Sequence, residues 1–181
     1  MNNTLQVATF AGGCFWCTEA VFLKLEGVEK VVSGYTGGQI KNPAYREICT
    51  GRTGHAEAIQ ITFDDSKVSF TELLEIFFAT HDPTTLNRQG NDVGTQYRSA
   101  IFYRDEKQKK NAEEFIALLQ QEHIFENPIV TEITELGPFY LAEEDHQNYY
   151  NLNKEQPYCQ YIIQPKLKKL SQYYKQKLKK D

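Results

Sequence analysis

The sequence predicts an α+β fold, a two-layer sandwich in which helices cover one β-sheet. Segments with the two-residue period of strands alternate along the chain with segments that have the 3.6-residue period of helices. Some of the predicted strands follow one another too closely to be joined by parallel crossovers. The 181 residues contain no internal repeat and no low-complexity linker. We therefore expect one domain over residues 1–181, with a helical tail at 165–181.

Five segments are expected to form strands. The first is apolar and rich in residues that favour strands, and it runs into a Gly-Gly turn. The third alternates so that Glu57 lies on the same face as Ile59, Ile61 and Phe63, which predicts a carboxyl group on an apolar face. The predicted strands are 5–11, 27–35, 57–63, 95–103 and 128–136.

Five helices are predicted between and after these strands. Ser69 and Glu72 have the spacing of a capping box for the second helix. The third is amphipathic, and Leu118 is among its expected inward residues. The predicted helices are the one that begins at Cys14, then 70–79, 104–123, 142–152 and 165–180.

Two polar segments, 39–54 and 81–94, are longer than ordinary loops. Loops of that length in a compact domain are usually functional or disordered. Because Tyr45, Ile48 and Cys49 supply apolar anchors, we expect the first segment to be ordered and packed on the core.

The composition is that of an ordinary globular protein, with 40% hydrophobic and 24% charged residues and a formal net charge of −4. This mildly acidic balance does not favour a nucleic-acid or membrane-surface binder. No secretory signal pattern and no apolar run of about 18 residues is present, so a cytoplasmic location is predicted. Four cysteines are too few for a disulfide scaffold, so they are interpreted as redox or structural thiols, with Cys49 as a structural one.

The stretch TFAGGCFWCTE, residues 9–19, is the strongest candidate for chemistry. It places Cys14 after two glycines at a helix N-terminus, where backbone N–H groups favour a thiolate and reactive cysteines have pKa values of roughly 3.5 to 7.5. Gly12 and Gly13 permit a sharp turn that we expect to leave the sulfur uncovered. Phe15 and Trp16 flank it with aromatic surface. The alternative is a buried structural cysteine in a tight turn.

Cys17 forms a CxxC pair with Cys14, and one helical turn brings two cysteines within disulfide range. Zinc would need further ligands, and the chain has neither a second CxxC nor a histidine pair at ligand spacing. We therefore predict no metal. A thioredoxin-like redox function is a weak alternative on this motif alone.

Glu57 is the second candidate. A carboxyl group on an apolar face should have a raised pKa and could act as a general acid at neutral pH. The alternative is an ion pair with Arg46, Arg52 or Arg98. His55, close by, is interpreted as a structural hydrogen-bonding residue.

Asp92 and Tyr97 lie in the segment GNDVGTQYR and form the third candidate. A tyrosine hydroxyl can donate a hydrogen bond to an oxygen that gains charge during a reaction. With 11 tyrosines in the chain, however, any single one is more often structural.

Five sequence blocks resemble, in the same order, those of the class A peptide methionine sulfoxide reductases. Together they extend from about Ala8 to Lys169. The resemblance implies a ferredoxin-like two-layer α+β fold with a mixed sheet. It also implies the reduction of methionine S-sulfoxide, free or in oxidised proteins, without a metal or organic cofactor. The blocks are GGCFWCTEAVF, GYTGG, NPAYREICTGRTGHAEA, HDPTTLNRQGNDVGTQYRSAIFY and AEEDHQNYY.

The resemblance also implies residue roles, carried over by motif position. Cys14 would be the nucleophile that becomes a sulfenic acid. Glu57 would donate a proton to the sulfoxide oxygen. Hydrogen-bond donors to that oxygen would be Tyr45 and Tyr97, with Asp92 supporting the network. Phe15 and Trp16 would form the wall of a pocket for the substrate's methyl group.

The chain departs from the usual family pattern at Cys17, where a glycine is common. Family members generally resolve the sulfenic acid with a cysteine near the C-terminus, and a thioredoxin-type reductant then opens the disulfide. Here Cys159 follows a loop at 153–157 that we expect to be mobile. Cys17 is favoured because its attack needs no loop rearrangement, but Cys159 and a relay through both remain open.

Two other functions compete with this one. A general thiol-disulfide oxidoreductase would not need Glu57, and a non-catalytic binder of oxidised methionine segments would not need Cys14.

Overall fold

The computed structural model describes residues 5–180 and contains eight strands and six α-helices within that range. The strands are β1 Leu5–Gly12, β2 Val28–Thr36, β3 Ala56–Asp64, β4 Arg88–Gln89, β5 Asp92–Val93, β6 Ser99–Tyr103, β7 Glu132–Glu135 and β8 Phe139–Leu141. The helices are α1 Phe15–Leu23, α2 Tyr45–Ile48, α3 Phe70–Thr80, α4 Glu106–Gln121, α5 Tyr149–Leu152 and α6 Gln164–Tyr174.

Six strands form one sheet in the order β7-β6-β1-β3-β2-β8, and β4 pairs with β5 in a separate hairpin. All neighbours in the large sheet are antiparallel except β6 and β7, which are parallel. The chain order β1-α1-β2-β3-α3-β6 and the spatial order β6-β1-β3-β2 are those of the ferredoxin-like βαββαβ arrangement. The prediction of an α+β fold with a mixed sheet is therefore confirmed.

The two faces of the sheet differ in residue size. One face carries large apolar side chains such as Phe10, Ile59 and Ile61, which pack with α1 and α3 in the main core. The other carries a small cluster that includes Ala11 and Ala58. The alternation predicted for β3 is thus confirmed, since its large side chains share the face that the helices cover.

The sequence predicted where the helices begin more accurately than it predicted which of their side chains are buried. The Ser69 hydroxyl accepts from the Glu72 amide at 3.0 Å at the start of α3, which confirms the predicted cap. In α4, Ala112 is buried, but Leu118 is 51% exposed, so its prediction as an inward residue was wrong. At about 100° per residue, Leu118 lies about 120° around the helix from Ala112, outside the buried stripe.

Two predicted elements are interrupted by unusual backbone. The segment 95–97 is a 3₁₀ turn rather than the start of a strand, and it follows Gly94, whose φ is +146°. The predicted helix 142–152 is broken by Asn148, whose φ of +54° is left-handed, so only a 3₁₀ turn and the short α5 form there.

The last strands of the sheet also differ from the prediction. The strand predicted at 128–136 is shortened to β7, and β8 was not predicted.

Cys159 lies in a helix, not on the mobile loop that the sequence suggested. The helical conformation begins at Pro157, an ordinary first residue for a helix, and continues through a π-helical turn, Cys159–Ile163, into α6. At its far end, an isolated β-bridge joins Leu178 to Leu25, just after α1. Two backbone hydrogen bonds of 2.8 and 2.9 Å reinforce this bridge, which fastens the end of the α6 segment to the end of α1.

Within residues 5–180 no helix combines the length and the apolar character needed to cross a membrane.

Candidate active site

Three candidate residues meet at one end of the sheet because neighbouring strands end there. β1 runs antiparallel to both β3 and β6, with Phe10 paired to Ile59 and Gly12 paired to Ser99. The residues that follow β1, begin β3 and precede β6 must therefore lie side by side. These residues are Cys14, Glu57 and Tyr97.

Cys14 is the N-cap of α1, as predicted, and has extended backbone geometry. Gly13 before it has φ +92°, which an L side chain rarely adopts. A Cβ atom on Gly13 would lie 2.7 Å from Cγ of Gln89. Glycine is thus required at this turn both for its backbone conformation and for the close approach of Gln89.

The sulfur of Cys14 is covered rather than open, which corrects the expectation from the sequence. Cys14 is only 8% exposed, and burial, the charge of Glu57 and the charge of Cys17 raise its pKa well above the ordinary thiol value. Hydrogen bonds from the Trp16 amide and the Tyr158 hydroxyl act in the opposite direction. The predicted low pKa was therefore wrong, because loss of water outweighs the helix N-terminus.

Glu57 is buried directly against the start of α1. It is 1% exposed, and its Oε1 accepts a hydrogen bond of 3.2 Å from the amide of Phe15, the residue after Cys14. Burial raises its pKa to about 8; the Phe15 amide opposes this rise and the charge of Asp92 adds to it. Glu57 is thus largely protonated at neutral pH, as expected for a general acid.

Glu57 does not take part in the ion pairs found among residues 5–180. Arg98, one of its possible partners, pairs with Glu132 at 3.0 Å. The rise in the pKa of Glu57 therefore comes with no compensating cation.

Tyr97 and Tyr45 are half-buried hydroxyl donors near this carboxyl group. Burial raises the pKa of Tyr97, and the charge of Glu57 adds to the rise. Burial also raises the pKa of Tyr45, followed in importance by a hydrogen bond to Cys49 and by the charge of Glu57. Both side chains therefore keep their hydroxyl hydrogen at neutral pH.

Glu143, in the segment after β8, holds Tyr45 in position. Its Oε2 accepts from the Tyr45 amide at 2.9 Å, and its Oε1 accepts from the Tyr35 hydroxyl at 3.0 Å. Glu143 thus links the segment that carries Tyr45 to the central sheet.

Trp16 forms an aromatic wall beside Cys14. Its ring is half exposed and stacks on Tyr149, with ring centres 3.7 Å apart and planes 8° apart. Its Nε1 donates to Nδ1 of His146 at 3.1 Å, and the His146 ring lies 4.5 Å from that of Tyr45. Phe15 differs, because its ring is fully buried 5.6 Å from that of Tyr35. Trp16 is therefore the accessible member of this pair.

Asp92 reaches the site through Tyr158. The Tyr158 hydroxyl donates to Oδ2 of Asp92 at 2.9 Å and also lies 3.4 Å from the sulfur of Cys17. The ring of Trp16 meets that of Tyr158 edge-on at 5.7 Å. Asp92, Tyr158 and the CxxC pair thus form one connected group.

Three of the four thiols share one buried cluster. Cys14, Cys17 and Cys159 are 8%, 2% and 0% exposed and pack together with Ala20 and Ile163. Burial raises the pKa of Cys17, and the charge of Cys159 contributes to the rise. The three sulfurs therefore lie near one another, with Cys17 next to both of the others.

Cys49 lies apart from this cluster and is exposed. Its expected role as an apolar anchor was therefore wrong, whereas its interpretation as a structural rather than a redox thiol stays a prediction. Ile48 anchors that segment instead, since it is fully buried in the main core.

Two buried polar residues hold the segments around the site. Glu19 accepts from the amides of Asn148 and Tyr149 at 2.9 and 3.1 Å and from the Ser33 hydroxyl at 3.3 Å. His55 bonds the Gly38 amide through Nδ1 at 3.0 Å, in agreement with its predicted structural role.

Four residues of this neighbourhood were not identified from the sequence. Tyr158 immediately precedes Cys159, and that position was the available signal. Glu19 lies in the same block as Cys14, while Glu143 and His146 lie in the block AEEDHQNYY, so the motifs contained them without assigning them a role.

No group of three or more His, Cys, Asp or Glu side chains within residues 5–180 is arranged to hold a metal ion.

The family model of peptide methionine sulfoxide reductase matches residues 6–178. A peptide methionine sulfoxide reductase MsrA from Trichodesmium erythraeum is 57% identical over 170 residues, which cover 94% of this chain and 96% of that protein. Mxr1 from Saccharomyces cerevisiae in its reduced form has a TM-score of 0.81 and 34% identity, over 86% of this chain and 90% of that one. Mxr1 in complex with Trx2 has a TM-score of 0.58 and 26% identity, over 79% and 84% of the two chains.

Proposed function

This chain belongs to the peptide methionine sulfoxide reductase family, and on that premise we propose that Cys14 and Glu57 carry out the chemistry. The enzyme reduces methionine sulfoxide to methionine, a reaction that repairs oxidised proteins. The observation that carries the proposal is the buried carboxyl group of Glu57, with a pKa of about 8, hydrogen-bonded beside Cys14. A thiol and a neutral carboxylic acid are the two groups that this reduction needs.

In the first step, the sulfur of Cys14 attacks the sulfur of the sulfoxide. Glu57 gives its proton to the sulfoxide oxygen, which gains negative charge as the S–O bond of the substrate breaks. The proton of the Cys14 thiol returns to Glu57. The oxygen is transferred, so Cys14 becomes a sulfenic acid, methionine leaves, and Glu57 is again protonated.

Tyr45 and Tyr97 are proposed to donate hydrogen bonds to the same oxygen. Because the pKa of each is raised, both remain donors at neutral pH. Trp16 forms the wall of the pocket for the methyl group, with Phe15 packed behind it. A fixed methyl pocket on one side and fixed donors on the other admit one configuration at sulfur, and we propose the S-sulfoxide, free or in proteins.

Cys17 is proposed to attack the Cys14 sulfenic acid first, releasing water and forming a disulfide. Cys159 then attacks the sulfur of Cys17, which transfers the disulfide to the Cys17–Cys159 pair and frees Cys14 for a second substrate. The buried cluster supports this order, since Cys17 interacts with both other thiols.

A thioredoxin-type reductant is proposed to open the final disulfide. The complex of Mxr1 with Trx2 supports this proposal. Because Cys17 and Cys159 are at most 2% exposed, the reductant requires a local opening of the segment that contains α5 and α6. We also propose that residues 1–181 act as one catalytic domain in the cytoplasm, where thiols are kept reduced.

The test is a count of methionine without any reductant. The enzyme is incubated with excess methionine S-sulfoxide, methionine is counted per enzyme, and the disulfide is mapped by mass spectrometry. We expect two equivalents from the wild type with a Cys17–Cys159 bond, one from Cys159→Ser with a Cys14–Cys17 bond, and none from Cys14→Ser. The control is Cys49→Ser, because Cys49 lies outside the thiol cluster and a serine can still accept the hydrogen bond of Tyr45, so this variant should form two equivalents as the wild type does.

The same experiment separates the alternatives. A wild type that forms no methionine would contradict the catalytic proposal and favour the binder. Undiminished methionine formation by Glu57→Gln would contradict the role of that carboxyl group. A Cys14–Cys159 bond in the Cys17→Ser variant, formed as fast as the wild-type disulfide, would remove Cys17 from the recycling step.

A further inference from the structure

We propose that Tyr158 is a catalytic residue of the recycling step, where its hydroxyl passes the proton of the Cys17 thiol to the carboxylate of Asp92. The proposal rests on the proposed function, in which Cys17 is the first residue to attack the Cys14 sulfenic acid. Cys17 can form the S–S bond only if its proton has an acceptor.

The hydrogen-bond geometry defines the direction of transfer. The Tyr158 oxygen lies 2.9 Å from Oδ2 of Asp92 and 3.4 Å from the sulfur of Cys17. A phenol has a single hydrogen, and in the bond between Tyr158 and Asp92 the phenol is the donor. That hydrogen is therefore directed to Asp92, which leaves a lone pair of the Tyr158 oxygen to accept the S–H of Cys17. The three groups form the chain S–H to O–H to carboxylate that a proton relay requires.

Bulk water is a poor acceptor for this proton. Cys17 is 2% exposed, and burial raises its pKa, so its thiol does not ionise readily at neutral pH. The charge of Lys166 and a hydrogen bond from Tyr158 favour the thiolate of Cys17, whereas the charges of Asp92 and Cys159 oppose it. Tyr158 can thus donate to the sulfur once Cys17 has lost its proton. The hydroxyl of Tyr158 is the polar group in hydrogen-bond contact with the sulfur.

Tyr158 is suited to transfer a proton without becoming charged. Burial raises its pKa, followed by the charges of Cys14 and Cys17, so a free tyrosinate is disfavoured. The proton of Cys17 must therefore reach the oxygen as the phenolic proton moves to Asp92. The helical backbone that begins at Pro157 and the edge-on contact with Trp16 hold the ring in place for this concerted transfer.

The step balances in atoms and charge. Cys17 loses its proton to Tyr158, and Tyr158 loses its own to Asp92. The S–S bond forms as the S–O bond of the Cys14 sulfenic acid breaks, and Glu57 protonates the leaving oxygen to give water. The thiol of Cys17 and the sulfenic acid of Cys14 become a disulfide and water. Asp92 ends as a carboxylic acid and Glu57 as a carboxylate, so the total charge does not change.

The test separates the two steps in single-turnover experiments on the full chain. Methionine formation reports the first step, and the appearance of the Cys14–Cys17 disulfide in a Cys159→Ser background reports the second. Tyr158→Phe keeps the ring but removes the oxygen, so disulfide formation should slow by about 10²-fold or more. Methionine formation should slow much less, because it loses only the Tyr158 hydrogen bond that favours the thiolate of Cys14. The sulfenic acid should accumulate, which a sulfenic acid-specific reagent would detect. Tyr161→Phe is the matched control, because Tyr161 lies three residues further on and is 74% exposed.

The pH profile provides a readout that a structural role would not change. Between about pH 5 and pH 7, where Glu57 keeps its proton, disulfide formation in Tyr158→Phe should rise with pH as hydroxide replaces the relay, whereas the wild-type rate should depend less on pH. Asp92→Asn, measured beside it, should slow the same step and covers the case in which Tyr158→Phe does not fold.

Equal disulfide rates in the wild type and Tyr158→Phe would overturn the proposal, as would a loss confined to methionine formation. A wild-type enzyme that forms no Cys14–Cys17 bond would instead contradict the assignment of Cys17, which is a separate failure.

Discussion

Replacing Glu57 by glutamine should stabilise the folded chain at alkaline pH while it removes the proton donor. Glutamine has the shape of the protonated acid but cannot ionise. Burial raises the pKa of Glu57 from 4.5 to about 8, so the folded state retains its proton over a range in which the unfolded state has lost it. The unfolded state therefore binds fewer protons between these two values, and the free energy of unfolding falls as the pH rises through this window.

The size of the effect follows from the same pKa. At about 1.4 kcal/mol for each pKa unit, Glu57 lowers the free energy of unfolding by about 3 to 5 kcal/mol once the pH exceeds 8. At pH 5 the loss is below about 1 kcal/mol. Because Glu57 is 1% exposed, solvent screening does not reduce this effect as it would at the surface.

The assay is urea unfolding of the reduced wild type and Glu57→Gln at pH 5 and pH 9. The difference between the two proteins cancels the titration of all other groups, and it should grow by about 3 kcal/mol or more from pH 5 to pH 9 in favour of the variant. Glu113→Gln, on the exposed side of α4, is the control and should show no such change. Parallel pH curves for the wild type and Glu57→Gln would refute a raised pKa at Glu57.

Three further predictions follow from the same structure. The single-turnover rate of methionine formation should fall as the pH rises above about 8, where Glu57 loses its proton, and Glu57→Gln should be slower by about 10² to 10⁴ at pH 7. Burial lowers the pKa of His81 from 6.5 to about 4, so its contribution of about 3 kcal/mol to stability should be lost as the pH falls from 6.5 to 4, and urea titrations of His81→Gln should show a smaller loss. Gly34→Ala should lower the free energy of unfolding by about 1 to 3 kcal/mol, because its Cβ would clash with the Tyr140 carbonyl oxygen, whereas Gly137→Ala, which meets open space, should change it by less than about 0.5 kcal/mol in the same measurement.

The sheet and its main helices could be predicted because their signals are local. The alternation in β3 places Glu57 and Ile59 on one face, and the Ser69 cap marks the start of α3. Residues such as Asn148 were missed because left-handed backbone at a non-glycine residue depends on its surroundings. Here Glu19, far away in the chain, accepts a hydrogen bond from the Asn148 amide and so fixes that turn.

The position of Cys14 was predicted, but its environment was not. A Gly-Gly turn followed by a helix is visible in the sequence. The burial that raises the pKa of Cys14 comes in part from Cys159 and Ile163, more than 140 positions away, and only the folded chain brings them there. For the same reason, Cys159 was expected on a loop, since the sequence does not show that the helix after Pro157 packs against α1.

The bridge between Leu25 and Leu178 determines how the thiols can separate. α1 carries Cys14 and Cys17 at its beginning, the helical segment before Leu178 carries Cys159 at its beginning, and the bridge joins the two at their ends. The two helical segments thus meet at the sulfur cluster at one end and at the bridge at the other, and the bridge can act as a pivot. With about 25 Å between Cys159 and the pivot, a rotation of about 10° would displace Cys159 by about 4 Å while the bridge moves little. A small angular change far from the reacting atoms is thus sufficient to open the sulfur cluster to a reductant.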